Sequence, residues 1–127
     1  MKKYIRVELV DNEIHSGCML EDMRLGVINE KNILEIEDNP KLPSGVSIGP
    51  KMVEGFIKEV HVSTLGDKTT LVRVILINGF EIIEASACVD KANYNEEMGK
   101  EICLNKIKDK IWMLLGFLLQ TAVGGIK

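Results

Sequence analysis

The chain has no Cys-x-x-Cys pair, and its three cysteines, Cys18, Cys88 and Cys103, stand far apart with only two histidines to join them. A zinc site is therefore not expected, and the odd count points to free, buried thiols in a reducing compartment. Neither a Gly-x-Gly-x-x-Gly nor a Walker pattern occurs, so the glycines give no phosphate-cradling loop. A basic excess is also missing: 16 Lys and Arg against 19 Asp and Glu leave a formal charge of -3. That argues against a protein that coats duplex nucleic acid, while leaving a small anion open as a ligand. Aromatics are few, at 5%. His15 and His61 have no nucleophile or carboxylate at motif spacing, so no enzyme and no cofactor are expected. The nearly unbroken apolar run from Ile111 to Leu119 falls far short of the roughly 20 residues of a transmembrane helix, and is read as core or interface. Charge interrupts the opening Met1-Lys2-Lys3-Tyr4-Ile5-Arg6, so no secretory leader is expected and the cytoplasm is the predicted location.

What is present is the composition of a folded protein, 46% hydrophobic and 28% charged over 127 residues, a length that suits a single domain, 1–127. Thr69 to Ile77 is a run of β-branched and aliphatic residues too short for a buried helix. Asn78-Gly79 follows, the pair that suits a two-residue type I′ turn, and Phe80 to Val89 returns as a second apolar run. A hairpin over 69–89 is thus the predicted centre of the fold. Lys3 to Val10 and Asn32 to Glu37 read as further strands, and His61 to Thr64 as an extended neighbour of the hairpin. Asp11 to Gly26 gives conflicting signals and stays open. Pro50 suits a first helical position, and Met52, Val53, Phe56, Ile57 and Val60 share a helical face, which predicts a short helix over 50–59. After the polar connection Asp90 to Asn95, Met98, Ile102, Cys103, Ile107, Ile111 and Leu114 form a stripe that predicts C-terminal helices over 95–122. The fold class is α+β: an antiparallel sheet with a central hairpin, packed by a short helix and C-terminal helices.

Val72, Val74 and Leu76 alternate with Leu71, Ile75 and Ile77, a strand dressed for burial on both sides, and so small a domain cannot cover both faces by itself. A homodimer or dimer-based assembly is expected. Cys88 and Cys103 fall on apolar positions and are expected to be buried. Lys106 and Lys110 lie four apart on one helical face, so with Lys100 and Arg73 they can gather phosphate oxygens; a solvated face is the plainer alternative. Phe80 and Tyr94 can stack on a purine or plug the ends of the core.

From about Thr69 onward the chain carries Asn78-Gly79-Phe80, Ser86-Ala87-Cys88-Val89, Asn93-Tyr94, Glu96-Glu97, Gly99, and Lys110-Ile111-Trp112 with Leu114, Gly116, Phe117, Leu118 and Leu119. In this pattern it resembles a family of small tailed-phage and prophage proteins, and the helix around Pro50 to Val53 also fits. The resemblance covers 47–127 and leaves 1–46 aside. Two departures are Glu84-Ala85, where the family usually has Gly-Glu, and Met113 in place of a common proline. The layout and the phage setting are similar to the Thoeris anti-defence sponge proteins. That similarity implies a non-enzymatic assembly in the host cytoplasm that binds a cyclic ADP-ribose-type or other cyclic nucleotide signal without cleaving it. It nominates Phe80 for the base, and Asn93, Lys106, Lys110 and Arg73 for the phosphates. The alternative is a protein-interaction module that binds a host protein through its apolar C-terminal surface. Neither reading involves duplex nucleic acid, a membrane or a metal.

Overall fold

The computed structural model describes residues 3–10, 13–20, 33–38, 41–43 and 46–124. The chain divides into two compact units, residues 1–52 with 113–127 and residues 53–112.

In the first unit β1 (Lys3–Val10), β2 (Glu13–Leu20), β3 (Ile33–Asp38) and β4 (Val46–Ser47) form an antiparallel sheet in the order β2-β1-β3-β4. The expected first strand is present with its predicted bounds, and β3 matches the expected strand over 32–37 to within a residue. Ile5 pairs with Leu34, and period-2 alternation puts Ile36 on the same face; Ile5 and Ile36 are buried while Arg6 is exposed. β2 occupies much of the stretch left open above, whose remaining residues, 11–12 and 21–26, lie outside the described residues.

Pro50 opens α1 (Pro50–Gly55), where its lack of an N–H costs nothing. The expected helix over 50–59 is too long: it stops at Gly55, and Ile57 is already in strand, paired with Leu76. Glycine weakens the last turn, and the β-branched run Ile57, Val60, Val62 gains more from a ladder than from continuing the helix. Phe56 marks the corner: its N–H donates to the Val53 carbonyl at 3.2 Å, and its own carbonyl accepts from Ile77 N–H at 2.9 Å.

The second unit holds β5 (Ile57–Leu65), β6 (Thr69–Leu76) and β7 (Glu81–Ala87), an antiparallel sheet with β6 in the middle. Gly66, at φ +71, allows the turn between β5 and β6. Along β6, Thr70, Val72, Val74 and Leu76 are buried, whereas Leu71, Arg73 and Ile75 are half-buried. The strand expected to be buried on both sides is thus fully covered on one. The cover is the first half of α2 (Glu96–Gly124), a single helix of 29 residues where more than one was expected. Asn95 caps it, its Oδ1 accepting from the Glu97 and Met98 N–H groups at 3.0 and 3.3 Å.

The inward stripe of α2 differs from the predicted one. Gly99, Cys103, Ile107 and Ile111 are buried, spaced four apart, and Leu115 and Leu119 continue the series. Met98, Ile102 and Leu114, expected inside, are exposed, Met98 at 60%. A four-residue spacing drifts by about 40° per step around a helix, so the stripe is an inclined ridge rather than an axial band. It begins at a glycine, which hydrophobic periodicity cannot register. Gly99 rests on Thr70, where an added β-carbon would overlap the threonine side chain.

Candidate functional site

The sheet register decides which candidate side chains can meet. The hairpin is present, but its turn is not the expected two-residue type I′. Leu76 N–H donates to the Phe80 carbonyl at 2.8 Å and Gly79 N–H donates to the Leu76 carbonyl at 2.9 Å, so the loop is Ile77-Asn78-Gly79. Gly79, at φ +88, supplies the left-handed residue that closes a three-residue loop, and Asn78 Oδ1 accepts from Phe80 N–H at 3.0 Å. A two-residue turn would have set Glu84 against Arg73. The extra loop residue shifts the pairing by one, so Glu84 stands opposite Val72 and Arg73 opposite Ile83. Such a shift moves a side chain to the other face of the sheet.

Glu84 is thereby on the helix-covered face with Val72, Val74 and Ile82. Lys110 reaches it from α2, its Nζ donating to Glu84 Oε2 at 2.6 Å. The hydrogen bond from Lys110 holds the Glu84 carboxyl below the usual carboxylate range; partial burial opposes this, and the charges of Lys110 and Lys106 add to it. Lys106, one turn earlier, is exposed and has no ion-pair partner among the described residues. Cys103 lies fully buried beside them. Burial pushes its thiol up, Lys106 opposes this and Glu84 adds to it. Phe80 continues the alternation of Ile82 and Glu84 and is 54% exposed. Four residue steps of extended chain, about 13 Å, take it to Glu84.

Phe80, Lys106 and Lys110 therefore belong to one face. Arg73 does not join them: it lies on the far side of the sheet, where its Nε donates to Glu81 Oε1 at 2.5 Å. Asn93 is at the end of a short 3-10 turn, Lys91–Asn93, which follows β7, so seven strand residues separate it from Phe80. That turn is fixed by Asp90, whose Oδ1 accepts from Ala92 N–H at 2.9 Å. Tyr94 does structural work. Thr64 donates its only hydroxyl proton to Glu96 Oε2 at 2.7 Å, so Tyr94 donates to Thr64 Oγ1 at 2.7 Å and accepts from Thr70 Oγ1 at 3.0 Å. This chain of hydroxyls ties the start of α2 to β5 and β6.

Cys88 departs from expectation. It is half-buried, its Sγ donating to the Asp90 carbonyl at 3.2 Å. His61 is exposed on β5 opposite Arg73, and His15 is in β2. Among the described residues no group of three or more His, Cys, Asp or Glu side chains is placed to hold a metal ion, and no helix is long and apolar enough to cross a membrane. Sequence reasoning noted Glu84 but gave it no role; only the loop length, which sets its face, could have supplied one.

The sequence pattern of the phage protein (N4 Gp49/phage Sf6 gene 66) family matches residues 48–123, from just before α1 to the end of α2. No curated protein and no solved structure matches the chain.

Proposed function

The chain belongs to the phage protein (N4 Gp49/phage Sf6 gene 66) family, and from that footing we propose that it is a non-enzymatic anti-defence protein that sequesters a cyclic ADP-ribose-type or other cyclic nucleotide signal of the host. One observation carries this reading: an exposed aromatic, Phe80, stands at the loop end of the strand whose Glu84 holds Lys110, one helical turn from Lys106. An aromatic ring offers stacking to any base, and ammonium groups offer charge-assisted hydrogen bonds to phosphate oxygens. The span of about 13 Å between Phe80 and Glu84 suits a ligand with a base at one end and phosphates at the other. Arg73 and Asn93 belong to such a site only if a second copy brings them to it, which fits a homodimer or dimer-based assembly. The resemblance to Thoeris sponge proteins supports the ligand class.

Purified protein is incubated with a panel of cyclic ADP-ribose isomers and cyclic oligonucleotides, then heat-denatured, and the released material is analysed. The ligand returns intact and its binding raises the melting temperature, as mass action requires. Phe80→Ala loses about tenfold or more in affinity, the loss of one stacking contact. Lys106→Ala also weakens binding while the melting temperature of the free protein stays unchanged. Undiminished binding in both variants places the site elsewhere, and a chemically altered product makes the protein an enzyme.

A second reading, an interaction module for a host protein, is favoured by the exposure of Trp112, Met113, Leu114 and Phe117 on α2, Phe117 at 75%. Exposed large apolar side chains gathered on one helix are costly unless a partner covers them. This reading requires that no nucleotide of the panel be retained and that the melting temperature not move.

A further inference from the structure

β6 is paired on both sides, so β5 and β7 are the edges of the second sheet, and the two edges differ. β5 is bulged at Lys58, between the pairs Ile57–Leu76 and Glu59–Ile75; a bulge and a lysine both discourage a further strand. β7 has no lysine, proline or bulge, and its pairing with β6 runs unbroken from Thr69–Ala87 to Ile75–Glu81. Its hydrogen-bonding parity is fixed at both ends: Leu76 N–H donates to the Phe80 carbonyl at 2.8 Å, and Cys88 N–H to the Lys68 carbonyl at 3.0 Å. Ile82, Glu84 and Ser86 therefore bond inward to β6, while Glu81, Ile83, Ala85 and Ala87 direct their N–H and C=O groups outward. Among the described residues no strand takes those groups. The flank of α2 above this edge is apolar as well. Met98, Ile102, Lys106 and Lys110 form a ridge beside the buried one, tied to β7 by the Lys110–Glu84 bond, and Met98 and Ile102 are 60% and 46% exposed.

We propose that β7 pairs antiparallel with β7 of a second copy about a two-fold axis at Ala85, forming the homodimer on which the reading above rests. Two three-stranded sheets become one of six strands, with two α2 helices side by side on the same face. A second copy is the occupant because one axis completes both features: edge meets edge, and the apolar helix flank meets an identical flank. At this register Ala85 pairs with itself and Ile83 with Ala87 in each direction, giving about six new backbone hydrogen bonds. Glu84 falls opposite Ser86, whose hydroxyl can donate to it, instead of opposite a second Glu84. A charge on the covered face of an edge strand ordinarily deters pairing, but here Lys110 already neutralises it. The level of the helix fits the same axis. Gly99 rests on Thr70, the partner of Ser86, and α2 runs from there toward Glu54, which Lys108 binds beside the far end of the sheet. Ile102 lies about 4.5 Å farther along and so comes level with Ala85, where the axis sets it against its own copy. Met98 then meets the aliphatic stem of Lys106. α2 touches both β6 and β7, which brings the two helices to about 10–14 Å, near enough for these rows to meet.

The test compares the full chain with Ala85→Pro and Ile102→Glu by light scattering over a dilution series, with thermal unfolding to check the fold. Proline at 85 removes an outward N–H that β6 does not use, so it blocks the edge and spares the ladder within the subunit. Glutamate at 102 places like charges across the axis on an already exposed helix position. Each variant is expected to dissociate at a concentration at least about tenfold higher than the full chain, and salt should partly restore Ile102→Glu. A dimer formed through the far face of the sheet would be untouched by either change. Ala85→Cys supplies a check that needs no dissociation: a hydrogen-bonded pair on the axis holds its Cα atoms about 5.5 Å apart, within disulfide reach. Mild oxidation should give more covalent dimer than the full chain or Leu65→Cys, at the end of β5. Folded variants that dimerise as before, or no extra cross-link in Ala85→Cys, overturn the β7 interface and leave the assembly and the sequestration reading standing. A monomeric full chain overturns the interface and the assembly together. The same samples are challenged with cyclic ADP-ribose isomers. If both variants dissociate but the full chain retains no cyclic nucleotide, the sequestration reading fails and the interface stands.

Discussion

A β-carbon built on Gly99 would overlap Thr70 Oγ1 and lie 2.6 Å from Thr70 Cβ. Thr70 is wholly buried in the middle strand and hydrogen-bonded to Tyr94, so it has no room to give way. Alanine normally gains about 1 kcal/mol over glycine within a helix. Overpacking a closed site costs about 1–3 kcal/mol, and here it wins. Gly99→Ala should therefore lower stability by up to about 2 kcal/mol, read as a lower urea midpoint at unchanged slope. The thiols give a second check. Cys103 is fully buried and its thiol is pushed up by that burial, whereas Cys88 is half-buried at the end of β7. A thiol reagent should modify Cys88 at least about tenfold faster than Cys103 in the folded protein. Equal rates without denaturant would contradict the packing of Cys103 from α2 onto β6.

The hairpin is the element on which the candidate site depends, because its loop length fixes the face of every β7 side chain. Gly79 holds φ +88 to close the three-residue loop, and nothing lies within 4 Å of where its β-carbon would be. The cost of Gly79→Ala is thus conformational rather than steric, about 1 kcal/mol for a left-handed alanine. Thermal unfolding should show this loss, while ligand affinity per folded molecule is retained. A variant that keeps its stability but loses ligand binding would mean that the loop touches the ligand directly. Most of this element was legible from its residues, since β-branched runs flanking Asn78-Gly79 can do little else. The register was not, because Asn-Gly serves two-residue and three-residue loops alike, and a difference of one residue transfers Glu84 from the side of Arg73 to the side of Lys110.

For the whole molecule, the far face of the β5-β6-β7 sheet is open to a partner. Leu71 and Ile75 are half-buried and Ile83 is 55% exposed, beside the Arg73–Glu81 pair. With the exposed apolar residues of α2, this surface leads us to expect self-association. Light scattering at micromolar concentration should give a mass at least twice 14.2 kDa. A particle of 14.2 kDa would remove the assembly and, with it, any part for Arg73 and Asn93 in the site.

Strand positions around the hairpin, the start of α1 at Pro50 and the Asn95 cap could all be read along the chain. Each depends on local propensity or on spacing within a few residues. The inward ridge of α2, the early end of α1 and the membership of the lysine cluster could not. They depend on which surfaces meet across the fold: a glycine that permits close approach, a strand that outbids a helix for Ile57, and a loop residue that turns Glu84 toward Lys110. Those choices are made by contacts between segments distant in sequence, where a residue's type matters less than what stands opposite it.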